Sequence, residues 1–423
     1  MIDFTVEAYQ NEYLPIGGSS VHTIVTVTAS GSEAEDRTPG DAAEIIIIDT
    51  SGSMSGGKIR SARAATIAAI DCLPDGTPFA VIGGCDNAYA VYPEVGLAIA
   101  SPEQRQAAAK AVGRLRARGG TAMSTWLECA DRTFDQTAST RRHAILLTDG
   151  RNESEDPAQL ADQLQRCEGR FQCDCRGVGT DWVVDELRLI ASQLLGSLDI
   201  IADPAGMAED FRSMMESSMA REVGEVALRV WTPEGANVAF FKQVTPVIEE
   251  LTDRATQIDA RTCEYPTGAW GNESRDYHLR IDVPTQAVGD EMMAGRIVVM
   301  ARGDNVGQAR VRAIWTDDAA LSTRINREVA HYTGQAELAE AIRDGIAARA
   351  AGDDDTATVK LGRAAQIAHE SSNDDTLRLL ARVVDIDDPS TGTVRLRKTV
   401  EPEAEMTLDT RSTKTIRVQR APT

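Results

Sequence analysis

Residues 44–58 read EIIIIDTSGSMSGGK: four consecutive isoleucines, an aspartate, then a run of small polar residues ending in lysine. A short apolar run of this length is a strand buried on both faces, and the small residues after it form a tight loop. Two chemistries compete for that loop. Gly52-x-x-x-x-Gly57-Lys58 imitates a phosphate-binding loop, and the later ILLTD, ending at Asp149, would serve as its acidic strand. Yet Ile59 stands where such a loop needs a Ser or Thr hydroxyl for magnesium. The other reading takes Asp49-x-Ser51-x-Ser53 as one carboxylate and two hydroxyls converging from one turn, hard oxygen donors of the kind magnesium or manganese prefers.

Outward from this stretch, strand and helix patterns alternate. PFAVIGG, HAILLTD, FQCDCRGVG and LDIIA are short and mostly apolar. Between them lie amphipathic stretches such as KIRSARAATIAAIDCL, TAMSTWLECADRTF and DPAQLADQLQRC. This alternation predicts an α/β fold, a doubly wound and mostly parallel sheet covered on both faces, with ligands bound at the carboxyl ends of its strands. Its expected span is residues 41–220. Residues 1–40 and 221–318 carry strand patterns joined by Gly, Pro, Asn and Asp turns. We read them as the two parts of one β-sandwich, with the α/β domain inserted after a polar linker, GSEAEDRTPGDAA. Residues 319–385 are alanine-rich and helical, a small helical domain. Residues 386–423, rich in Thr, Arg and Glu, are expected to form a flexible tail.

Two further motifs follow DTSGS in order: a threonine in a glycine-led loop, GGTAM with Thr121, and an aspartate closing the next apolar strand, LLTDG with Asp149. With these three motifs the region 43–220 resembles the von Willebrand factor type A (VWA) family, whose adhesion site depends on a metal ion. The resemblance implies that Ser51, Ser53 and, with a ligand bound, Thr121 touch the metal directly. It also implies that Asp49 and Asp149 hold it through waters, and that one position stays open for a carboxylate of a protein partner. Mg2+ is the implied cofactor, with Mn2+ or Ca2+ as substitutes. A site of mostly neutral oxygens leaves such a cation electrophilic, so an incoming Asp or Glu is held strongly. We prefer this reading to the phosphate-binding loop.

Composition sets the context. The chain has 423 residues, a formal net charge of −21 and a pI near 4.7. Such an acidic surface is repelled by nucleic acid and anionic membrane, so neither is an expected partner. MIDFTVEAYQ has no basic and apolar leader pattern, and no apolar run is long enough for a membrane span, so a cytoplasmic location is expected. Seven cysteines, an odd number, do not form a disulfide framework. Cys167, Cys173 and Cys175 suggest zinc but lack a fourth ligand nearby, and we assign them to the core. His143, His331 and His369 are assigned surface or capping roles. With no nucleophile motif, the chain is not expected to be an enzyme. The high Ala, Asp and Arg content suggests a high-GC, actinobacterial-like source. The resulting expectation is a cytosolic, metal-dependent protein-interaction scaffold. Bacterial members of the resembled family often accompany AAA+ ATPases or Ser/Thr kinases and forkhead-associated proteins, which are the expected partner classes. A second expectation concerns the tail: Thr407 and Thr413 are candidate phosphorylation sites that would make the chain a kinase substrate and adaptor read by forkhead-associated domains.

Overall fold

The computed structural model describes residues 2–31, 41–201 and 206–418. The reading of the linker falls mostly on residues 32–40, outside the described residues. In chain order the first strands are β1 (Ile2–Gln10), β2 (Tyr13–Leu14) and β3 (Ser20–Gly31). The α/β region follows with β4 (Ala42–Asp49), α1 (Gly57–Asp71), β5 (Pro78–Gly84), β6 (Ala88–Tyr92), β7 (Ala98–Ile99), α2 (Pro102–Val112) and α3 (Met123–Phe134). It continues with β8 (Arg141–Thr148), α4 (Pro157–Cys167), β9 (Gln172–Val178), α5 (Val184–Gln193), β10 (Leu198–Ile201) and α6 (Met207–Met219).

The chain divides into two compact units, one of residues 32–225 with 268–271, the other of residues 1–31, 226–267 and 272–423. In the first, the sheet runs β10-β9-β8-β4-β5-β6, with β7 beside β5. Strands β10, β9, β8, β4 and β5 are parallel, and the edge strands β6 and β7 are antiparallel to β5. From Ala43 to Asp49 strand β4 is buried without a break, as a central strand covered on both faces must be. One face packs Ile46, Ile48, Ile145 and Leu147 against Ile59 and Ala62 of α1, Val112 of α2, and Phe211 and Met215 of α6. On the other face α3 lies against β4 and β5, with α4 and α5 beyond it. Strand order reverses at β4, between β5 and β8, and this is where an open α/β sheet leaves a crevice at its carboxyl ends. Register aligns Asp49 with Gly84 and Ile48 with Leu147, so the loops after β4, β5 and β8 emerge side by side.

The second unit continues with β11 (Val223–Trp231), β12 (Asn237–Thr245), β13 (Glu249–Glu250), β14 (Thr256–Asp259), β15 (Thr262–Trp270), β16 (Glu273–Asp282), β17 (Glu291–Ala301) and β18 (Asp304–Trp315). Two sheets form, β1-β3-β16-β12-β13 and β14-β15-β11-β17-β18-β2. Phe241 of the first meets Tyr265 of the second with ring centroids 4.5 Å apart, the face-to-face contact of a sandwich. The first strands therefore do share sheets with the later ones. The stretch 255–265 forms the hairpin β14–β15, turning at Ala260-Arg261.

Helices α7 (Ala319–Ser322), α8 (Arg327–Ala350), α9 (Asp354–Glu370) and α10 (Asp374–Leu380) follow. The expected flexible tail is contradicted by what comes next. The hairpin β19 (Val384–Asp388)–β20 (Thr393–Leu396) and helix α11 (Pro402–Arg411) complete the helical core, where Val394, Ala404 and Leu408 pack with Leu338, Ile342 and Leu361. Residues 413–418 then run along the sandwich: the carbonyl of Thr413 accepts from Ile248 N at 2.8 Å, and Arg417 pairs with buried Asp276 at 3.1 Å. A threonine-rich composition concealed a short helix with Pro402 in its first turn and apolar residues four apart at Ala404 and Leu408.

Candidate functional site

The loop after β4 is shaped by its own side chains. Asp49, fully buried, accepts from Ser51 N through Oδ1 at 2.7 Å, which turns the chain sharply at the strand's end. Residues Gly52–Met54 make one 3-10 turn, and Met54 drops into the core beneath α1, so Ser51 and Ser53 are presented on the opposite side. Their hydroxyls lie 2.9 Å apart, and Ser53 Oγ donates to Asp149 Oδ1 at 2.6 Å. Thr148, at the end of β8, donates to Asp49 Oδ2 at 2.5 Å. Two strand ends are thus joined by one chain of hydrogen bonds running Thr148, Asp49, Ser51, Ser53, Asp149.

Thr121 arrives on a third loop, which is tied down by backbone and carboxylate contacts. Gly52 N donates to Gly119 O at 2.9 Å and Arg118 N to Thr50 O at 2.6 Å. Asp86, just past β5, accepts from Gly120 N at 2.7 Å, and Ser154 Oγ accepts from Thr121 N at 3.0 Å. Glycine is required here. A Cβ on Gly120 would lie 2.0 Å from Ser154 Oγ, and Gly119 has φ +75°.

The donors converge on one small space. A Cβ built on Gly150 would sit 3.2 Å from both Ser53 Oγ and Thr121 Oγ1 and 3.7 Å from Asp49 Oδ2. Ser53, Thr121 and Asp49 therefore border a volume kept open by a missing methyl group, and Ser51 and Asp149 join them through hydrogen bonds to Ser53, a set of two carboxylates and three hydroxyls. That donor set fits a hard divalent cation and does not fit a soft one. Burial pushes the Asp49 carboxyl up to about 6, against hydrogen bonds from Thr148 and Ser51 that work the other way. Asp149 is fully buried; among the described residues its Oδ2 has no hydrogen-bond partner, and Lys58 Nζ meets it as an ion pair at 2.5 Å. The same ammonium is 3.1 Å from Asp181 Oδ2. Partial burial disfavours its charge, but the two carboxylates outweigh this and hold Lys58 above its ordinary range.

All five expected oxygen donors lie at the carboxyl end of this sheet. Lys58, the residue that would hold phosphate in the competing reading, is committed to two carboxylates. Thr407 and Thr413 belong to the other unit. Thr407 is buried in α11 and donates to Glu403 O at 2.6 Å, which removes the premise that it is exposed. Sequence reading missed Thr148, Asp86, Ser154 and Gly150. Of these, only Gly150, directly after the acidic strand end, left a visible signal. His143 was also misjudged. It is buried, with Nδ1 2.8 Å from Glu44 Oε2 and Nε2 2.9 Å from Asp174 Oδ2. Cys167, Cys173 and Cys175 are buried in the core of the same unit.

Known proteins share this fold. Residues 43–200 match the von Willebrand factor type A domain model, and residues 366–412 match the von Willebrand factor type A C-terminal domain model. A solved von Willebrand factor type A protein from Catenulispora acidiphila is 48% identical, with 98% of this chain and 97% of that chain covered, at a TM-score of 0.93. The ArnB paralog VWA2 from Sulfolobus acidocaldarius shares the fold at 13% identity and a TM-score of 0.58, with 98% of each chain covered. A curated protein of Synechocystis, described as uncharacterized, is 28% identical over 237 residues, and the match spans 54% of its length. The C-terminal match includes the hairpin and the whole of α11, within the segment expected from sequence to be flexible. On its sequence, its fold and its likeness along nearly the whole of the Catenulispora protein, the chain belongs to the von Willebrand factor type A family.

Proposed function

We propose that this chain is a metal-dependent protein-binding module: a divalent cation, Mg2+ in the first place, is held at the crevice by Ser51, Ser53, Thr121, Asp49 and Asp149 and receives a carboxylate from a protein partner. The observation that carries the reading is the cluster in which Ser53, Thr121 and Asp49 surround the space beside Gly150 while Ser51 and Asp149 hydrogen-bond to Ser53. When bound, the cation supplies a Lewis-acidic contact for an anionic oxygen. The protein's part is to orient. Asp49 and Thr148 fix the turn that presents Ser51 and Ser53, and Asp86 and Ser154 hold the loop that presents Thr121. Three neutral hydroxyls in the donor set leave the cation's charge incompletely neutralised, which favours an Asp or Glu over a neutral ligand.

Binding, with no chemistry performed on the partner, is the function this donor set supports. The AAA+ ATPases and the kinase-linked proteins that accompany such modules are the partner classes to test first. The cytosol is the expected compartment on the strength of the acidic composition; among the described residues no helix is long and apolar enough to cross a membrane. A pull-down from native lysate, with and without EDTA, comparing the intact chain with Asp49→Ala, tests the reading. A partner captured only by the intact chain in the presence of metal is expected. Equal capture in every lane would rule out the metal bridge.

A further inference from the structure

Lys58 occupies an unusual position for a lysine at the start of a helix. Its side chain is 28% exposed, and it puts a cation on the Oδ2 of Asp149, a carboxylate that is fully buried and has no hydrogen-bond donor on that oxygen among the described residues. Asp149 Oδ1 is already engaged by Ser53. The second partner of Lys58, Asp181, is different in kind: 70% exposed, in the loop between β9 and α5, with its carboxylate 3.1 Å from the ammonium. Lys58 thus spans from the inside of the donor set to a solvent-facing carboxylate, and within one side chain's reach it has an alternative to Asp149.

Two fully buried carboxylates, Asp49 and Asp149, flank Ser53 and Ser51 in one small space, and either a divalent cation or an ammonium can offset their negative charge. The two cations then compete for the same field, since each lowers the affinity of the other by Coulomb repulsion.

Resting on the metal-site reading above, we propose that Lys58 is the built-in counter-cation of the site: it neutralises Asp149 when no metal is bound and yields to an incoming divalent cation by shifting onto Asp181, so the Lys58–Asp181 link sets metal affinity. The lysine weakens metal binding, and Asp181 restores part of it by giving the ammonium somewhere to go. Metal occupancy is thereby read out in the loop after β9 as a stronger Lys58–Asp181 pair. No bond forms or breaks covalently; one ion pair is exchanged for another.

The test is a double-mutant cycle on the full chain, with Mn2+ affinity measured by electron paramagnetic resonance of the free ion and Mg2+ affinity by competition. Removing a unit charge within a few ångströms of the site in Lys58→Met is expected to tighten Mn2+ binding roughly tenfold. Asp181→Asn is expected to weaken it by about threefold, because the ammonium then remains on Asp149. In the Lys58→Met background, Asp181→Asn has no effect: the coupling disappears with the lysine. Unchanged or weakened affinity in Lys58→Met overturns the proposal. So does an Asp181→Asn effect that persists without Lys58, which would make Asp181 a simple long-range charge. Lys58→Arg, which keeps the charge, is expected to stay within about twofold of the natural chain, and a gain in affinity as large as that of Lys58→Met would equally overturn it. If the unmodified chain binds no Mn2+, or Asp49→Ala binds as well as it does, the metal-site reading itself has failed, an outcome distinct from failure of the lysine's role.

Discussion

Replacing His143 with glutamine would expose how the sheet is held together at the end opposite the site. His143 begins the inner part of β8, beside Glu44 of β4 and Asp174 of β9, and its imidazole bridges the two carboxylates across three adjacent strands. Ser218 of α6 donates to Glu44 Oε1 at 2.6 Å, while Ser197 donates to Asp174 Oδ1 through N at 2.6 Å and Oγ at 2.7 Å. Burial by itself would push the histidine down. Glu44 and Asp174 overcome it and raise the imidazole to about 9, and the same pairing, against the burial that raises it, holds Asp174 well below the usual carboxylate range. The two shifts describe one interaction and are not added. At about 1.36 kcal/mol per pH unit, a rise from 6.5 to about 9 is worth roughly 3 kcal/mol. Because the folded pKa lies above the unfolded one, this stabilisation is complete below about pH 6.5 and is lost as the pH rises through about 9. His143→Gln keeps hydrogen-bonding capacity but removes the charge, leaving two buried carboxylates, so a loss of about 3–5 kcal/mol is expected at pH 6. Urea unfolding of both proteins between pH 6 and pH 9.5, compared at each pH, cancels the titrations they share. The gap is expected to shrink by roughly 3 kcal/mol across that range. A gap below about 1 kcal/mol at pH 6, or one independent of pH, would refute a charged histidine here.

Other consequences are equally direct. Gly150→Ala places a methyl group 3.2 Å from Ser53 Oγ and Thr121 Oγ1; calorimetry should show Mg2+ binding weakened by about tenfold or more, with the melting temperature changed by less than about 3 °C. Gly177→Ala would drive a Cβ to 1.9 Å from Cε2 of the buried Trp182 ring, and a stability loss of about 2–4 kcal/mol is expected in chemical denaturation. Leu408→Ala opens the core of the helical part, where Leu408 is fully buried, and should cost about 2–4 kcal/mol in the same assay. Mass spectrometry after Ser/Thr kinase treatment of the folded chain should find Thr407 unmodified, since its hydroxyl is buried and bonded to Glu403 O; ready modification would mean that α11 is not stably folded.

Much of the α/β unit was legible because its signals are local. Four isoleucines ending in Asp49 announce a buried central strand, and the Ser, Thr and Asp donors stand where strand ends meet loops. What escaped depends on long-range meetings. Thr148 reaches Asp49 and His143 reaches Glu44 across 99 residues each, and Asp86 supports the Thr121 loop from 34 residues away. No periodicity encodes such pairings. Strand β6 went unread because every one of its residues is at least partly exposed at a sheet edge, which blurs the apolar signal. The C-terminal segment was misread for a compositional reason: its threonines suggested solvent exposure, yet Thr407 and Thr410 are buried within α11, and the DDPSTG stretch was the turn of a hairpin.

Divalent metal binding by the full chain tests the central claim most directly. Calorimetric titration with Mg2+ should show saturable binding of one ion per chain, lost in Asp49→Ala and strongly weakened in Ser51→Ala with Ser53→Ala. Absence of saturable binding, or binding to Asp49→Ala indistinguishable from that of the unmodified chain, would contradict the account.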